Sequence, residues 1–265
     1  GQFEKAHKLL RDYVQASGRT SAGARGRVYL ARALLARGLA QEAYLSAQEI
    51  EKIQLKKNPE LLPEALILKA QALILLNRDT RAGRAVDSAR KILDDHAKKT
   101  SGSPEPTHVS LQGEAATVKL ELKLKNCAKF PGKGPLDEEQ VRDQLGRRGT
   151  CLLESLLTYR DAIQAGDAPA AKKAQSHVER AYEGYATTSL APPPPPRIKP
   201  RDRTAEQRKR YIKELVVVLG QDFRQSTKEA LEIVRGWKAP APAATVSSLD
   251  ASIAHLEKLS RNEAK

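Results

Sequence analysis

The chain has 265 residues, enough for one extended helical array or for two smaller domains, and its formal net charge is +14. That balance favours an acidic partner, whether nucleic acid, anionic lipid or polysaccharide, or an acidic protein, and it fits a basic protein with no polyanion ligand equally well. Aromatic residues are only 4% of the chain, which counts against stacking on single-stranded nucleic acid, and no apolar run approaches the roughly 18 residues of a membrane span.

Alanine and leucine dominate the apolar residues, a composition that favours helix over strand. From the first residue onward, one pattern recurs. Gly1 is followed by Ala6, Leu10 and Tyr13; Gly38 by Ala43, Ala47 and Ile50; and Asn77 by Ala82, Val86 and Ala89. A turn residue, a small residue five later and apolar residues nine and twelve later describe a helix that leaves a tight turn and packs back on its predecessor. The chain contains no Met and opens on the turn of such a unit, so the expectation is that an N-terminal piece, with the preceding helix, has been removed. Ala31 and Leu34 precede Gly38 at the offsets at which Ala70 and Leu73 precede Asn77. Burial of Ala31 and Ala70 at helix crossings follows.

Residues 1–98 therefore read as helical hairpins. On Gly1, Phe3, Ala6, Leu10, Gly38, Ala43 and Ala47, with Ala31 and Ala70 in the preceding helices, this stretch resembles the tetratricopeptide repeats. Three departures stand out: Arg27 and Leu66 occupy the position of an early aromatic, the connections are longer, and Asn77 replaces glycine. The resemblance implies an all-α helical-hairpin array that binds a protein or peptide and is not an enzyme. It also implies a concave binding face formed by Arg25, Val28, Arg32 and Leu35 of one unit and Glu64, Ile67, Gln71 and Ile74 of the next. These positions could equally be core covered by C-terminal helices.

Asn58-Pro59 closes a unit, and Thr100 to Thr107 is a loop. Residues 108–190 are expected to continue the array with further hairpins. Val118, Leu120, Leu122 and Leu124 alternate with charged residues as in a half-buried strand. The run Glu114 to Asn126 nevertheless aligns with Glu64 to Leu76 and is rich in helix formers, so helix is the preferred reading. Phe130 to Pro135 is a turn without P-loop spacing. A short helix from Leu136 to Leu145, a break at Gly146 to Gly149, and a helix capped by Thr150 and running to Gln164 are expected. Gly166-Asp167 then turns the chain into a helix from Pro169 to Tyr185.

Residues 191–203 form a proline-rich basic linker, stiffened by five consecutive prolines. Beyond it, residues 204–265 are expected to fold back on the array, because isolated helices are marginal. Thr204 and Gln207 make a capping box for a helix to about Trp237, bent or broken at Gly220. After a Pro/Ala linker, Ser248 caps a last helix with Leu249, Ile253, Leu256 and Leu259 on one face.

No chemistry-bearing motif emerges. The five histidines, at 7, 96, 108, 177 and 255, form no pair at helical ligand spacing, and no metal or cofactor is expected. Arg197, Lys199, Arg201, Arg203, Arg208, Lys209, Arg210 and Lys213 form a basic stretch: either a solvated face with internal ion pairs or a contact for a polyanion such as nucleic acid or anionic lipid. Cys127 and Cys151 flank the segment of the short helix, and antiparallel packing of the neighbouring helices favours a disulfide over two free thiols. With the basic charge, that pair points to a periplasmic or exported protein, such as a component of a bacterial cell-envelope assembly; a cytoplasmic protein with reduced thiols is the alternative.

Overall fold

The computed structural model describes residues 2–57, 59–99, 105–130, 138–191 and 205–261. Gly1, Asn58, the loop residues 100–104, most of the FPGKGP turn and the start of the expected short helix (131–137), and the linker with Thr204 (192–204) lie outside the described residues. Among the described residues every regular element is helical, and helices adjacent in sequence pack together. The chain divides into two compact units, Gly1–Leu122 and Lys123–Lys265.

The first unit contains α1 (Gln2–Ser17), α2 (Ser21–Ala36), α3 (Ala40–Lys57), α4 (Leu62–Leu75), α5 (Asp79–Lys99) and most of α6 (Pro106–Cys127). Its hairpins turn at the residues that the repeat singled out. Gly38 has φ +74° and Asn77 φ +56°, and Asn77 is the only non-glycine residue with positive φ among the described residues. Around Gly38, the Leu39 N–H donates to Leu34 O and the Gly38 N–H to Leu35 O; around Asn77, Arg78 donates to Leu73 and Asn77 to Ile74. Both are Schellman closures, which need a left-handed residue past the helix end, and asparagine supplies one almost as readily as glycine.

The repeat positions form the core. Ala31, Ala43, Ala47, Ile50, Ala70, Ala82, Val86 and Ala89 are fully buried, and Leu34 and Leu73 nearly so. The same offsets in α1 behave differently: Ala6 and Tyr13 are exposed and Leu10 is half-buried. The physical reason is that α1 packs chiefly against α2, whereas α3 lies between α2 and α4.

The alternating segment is helical, within α6. None of Leu111 to Lys125 is exposed, and Leu111, Ala115 and Val118 join the cluster of α4 and α5. A helix that is buried on more than one side carries apolar residues beyond a single stripe, and this spacing imitates a strand.

The second unit contains the end of α6, α7 (Glu138–Gln164), α8 (Ala168–Leu190), α9 (Ala205–Arg235) and α10 (Val246–Arg261). Helix α7 lies against α8 and α9, and α8 against α9 and α10. Asp167 caps α8, accepting from the Ala170 N–H at 2.9 Å. Three boundary expectations are overturned. First, α7 runs unbroken through Gly146–Gly149, and Thr150 is no cap: its hydroxyl donates to Gly146 O inside the helix. Glycine is needed at 149 for proximity, since a Cβ there would stand 2.8 Å from Tyr185 Oη. Second, α9 is not broken at Gly220, where a Cβ would press on Leu190 at 3.3 Å. Third, α10 opens at Val246, after a 3₁₀ turn at Ala243–Thr245, so Ser248 lies within the helix and is buried.

Candidate functional site

In the first unit, α2, α4, the ends of α5 and α6 and the 3₁₀ turn Pro59–Leu61 enclose a cleft of about 740 Å³. Val28, Leu93 and Leu111 form its buried floor. Tyr29 stands at its edge, 62% exposed, and Arg25, Glu60, Glu64 and Glu105 supply the charges. His96 and His108 stack across one end with ring centroids 5.2 Å apart.

Beside the cleft, Arg32 holds two carboxylates. Its guanidinium donates to Glu64 Oε1 at 2.8 Å and to Glu114 Oε2 at 3.0 Å, and the Gln71 amide donates to Glu114 Oε1 at 3.1 Å. Burial disfavours the charge on Arg32, but the attraction of Glu114 and the hydrogen bonds and attraction of Glu64 outweigh it and raise its pKa. One network thus ties α2, α4 and α6 together.

The eight positions named for a concave face divide. Arg25, Val28 and Glu64 line the cleft. Arg32 and Gln71 belong to the adjoining network. Ile67 and Ile74 are buried in the cluster of α4, α5 and α6, and Leu35 is half-buried against α3 and α4. Sequence reasoning missed Tyr29, Glu60, Glu105, Leu111 and Glu114. The alignment of the run Glu114 to Asn126 with Glu64 to Leu76 did carry a signal for Glu114.

The basic stretch is described only in part. Arg197, Lys199, Arg201 and Arg203, and the side chain of Arg208, lie outside the described residues. Lys209, Arg210 and Lys213 are exposed near the start of α9, where Arg210 pairs with Glu214 at 3.1 Å.

In the second unit, Cys127 at the end of α6 and Cys151 in the middle of α7 are paired, with Cα atoms 5.5 Å apart. Nearby, Arg148 is buried without a carboxylate partner among the described residues. Its Nη1 donates to Thr188 Oγ1 at 3.0 Å and to Phe130 O at 3.4 Å, its charge faces the Tyr185 ring at 5.8 Å, and Nε has no hydrogen-bond partner among the described residues. Burial lowers the pKa of this guanidinium, and Tyr185 opposes the shift. Among the described residues, no cluster of three or more metal-ligating side chains is found, and no helix is long and apolar enough to cross a membrane.

Three buried tyrosines of this unit resist ionisation. Burial pushes Tyr159 up to about 12 against the opposing hydrogen bond from Ser252, pushes Tyr185 up to about 12 with help from Asp222, and raises Tyr182 as well. A phenol whose folded pKa exceeds its unfolded value of about 10 favours the folded state fully below that pH. The contribution is lost as pH rises from about 10 towards 12, at about 1.4 kcal/mol per pH unit for each tyrosine. The second unit is therefore expected to unfold in this window together with phenolate absorbance, and Tyr182→Phe to shift the transition to higher pH. Ionisation of all seven tyrosines near their ordinary pH with helicity intact would contradict this.

Comparison of the chain with protein-family models, with curated proteins and with solved structures gave no match.

Proposed function

We propose that the chain is a non-enzymatic scaffold of tetratricopeptide-like hairpins, and that it binds a segment of another protein in the first-unit cleft. One observation carries the reading: a cleft floored by Val28, Leu93 and Leu111 has at its edge a tyrosine left 62% exposed. Aromatic side chains at the mouth of a cleft supply large contact area at small entropic cost, and they recur as anchors of protein recognition. The matching Schellman turns at Gly38 and Asn77 and the placement of α2 against α4 support the repeat reading, in which α2, α4 and α6 are the first helices of successive units. The cysteine pair suits an oxidising compartment, and we place the protein in the periplasm or another exported location on that ground.

Site-specific photo-crosslinking tests the binding site. A photoreactive phenylalanine analogue at position 29 is expected to capture one recurring partner segment in cells of the source organism. The same analogue at Leu157, equally exposed in the second unit, is the control. Equal and unselective capture from both positions would remove the cleft as the site.

A further inference from the structure

Resting on that reading, we infer that the segment accepted by the cleft is cationic, an extended stretch carrying Lys or Arg side chains next to an apolar residue. The whole chain is strongly basic, yet the cleft has the opposite sign. Among the described residues, its lining holds three carboxylates, Glu60, Glu64 and Glu105, against one guanidinium, Arg25. The neighbouring network does not reverse this balance, because Arg32 is shared between Glu64 and Glu114.

The individual pairs show which carboxylates are available to a ligand. Arg25 approaches Glu60 only to 3.7 Å, with both side chains about two-thirds exposed, a geometry whose net worth is small. A cation from a partner can replace it at little cost. Glu105 is exposed at the entry to α6 and makes no ion pair among the described residues. An arriving Lys or Arg therefore finds two acceptors that are solvated and weakly committed. Its aliphatic stem can lie on Val28 and Leu111, and its charge can sit over the face of Tyr29.

Range decides between the local and the global charge. At physiological ionic strength the screening length is about 8 Å, so a side chain inside the cleft responds to the lining carboxylates far more than to the distributed positive charge. The diffuse charge does act during approach, where it slows rather than steers a basic ligand. The expected ligand thus has a charge cluster confined to the few residues that enter the cleft.

The test uses the full chain and an array of random peptides of about twelve residues. Bound peptides are read for net charge, and selected ones are titrated by fluorescence anisotropy. The expected result is a retained set enriched in Lys and Arg, weakened about fivefold by the exposed double substitution Glu60→Gln, Glu105→Gln and lost with Tyr29→Ala. A Tyr29-dependent set that is neutral or acidic overturns the cationic assignment and leaves the cleft as the binding site. Absence of any retained peptide, or retention that Tyr29→Ala does not change, overturns the cleft reading and this inference with it. Circular dichroism of the variants separates loss of binding from loss of fold.

Discussion

Replacing Ala70 by arginine is expected to destabilise the first unit by more than about 3 kcal/mol, from overpacking together with a buried charge. Ala70 is fully buried where α4 meets α5, in one cluster with Ile67, Leu73, Ala82, Val86 and Ala89. Alanine is present there because two helix backbones approach closely, and a guanidinium would have neither space nor a counter-ion. Leu75→Arg on the same helix is the control: Leu75 is exposed, and the change is expected to stay within about 0.5 kcal/mol. The single tryptophan, Trp237, lies in the second unit, against Tyr159. Its fluorescence follows that unit alone during urea denaturation, while circular dichroism follows both. The Ala70→Arg loss should therefore appear in the dichroism curve before the fluorescence moves. An unchanged dichroism midpoint would refute the packing assigned to α4.

The second large effect is expected from the cysteine pair. Cys127 and Cys151 are separated by 24 residues, and closing a loop of that length is worth about 3 kcal/mol in the chain-entropy model. Both residues belong to the second unit, so replacing the pair by serine should lower the tryptophan-detected midpoint and leave the first unit unaffected. Cys127 is fully buried, with its sulfur 3.5 Å from Ser155 Oγ, so a serine at 127 retains a hydroxyl partner and the measured loss reports mainly on the cross-link. Mass spectrometry of non-reduced, alkylated protein is the direct check. Two alkylated cysteines in material prepared under oxidising conditions would exclude the bridge and remove the main support for an exported location.

The bridge also shows how a pairing can be anticipated while its geometry is misread. Antiparallel packing of the helices on either side of a short helix is the route the sequence suggests. In the structure no break separates residues 138–145 from the following helix, and Cys151 meets the end of α6 from within continuous α7. The misleading signal was Gly146–Gly149. Glycine weakens a helix locally, and two glycines around two arginines look like a stop. At Gly149, however, the missing side chain is what admits Tyr185 and Ser226, and at Gly184 it leaves room for Arg148. One residue type serves both purposes, and only the partner helix distinguishes them.

By itself, the sequence determined the helical character of the chain, the turn positions Gly38 and Asn77, the buried alanines around them and the start of α8. Each rests on residues within one or two helical turns of each other: a left-handed turn residue, a cap, or a small residue at fixed offset. The tertiary structure alone decided the continuity of α7 and α9, the opposite fates of α1 and α3 at equivalent positions, and the composition of the cleft. Tyr29, Glu60, His96 and the pair Glu105 and Leu111 come from four separate stretches, and no short-range pattern connects those stretches. What brings them together is the burial of α4 between its neighbours, and burial depends on what covers a residue rather than on the residues beside it in the chain.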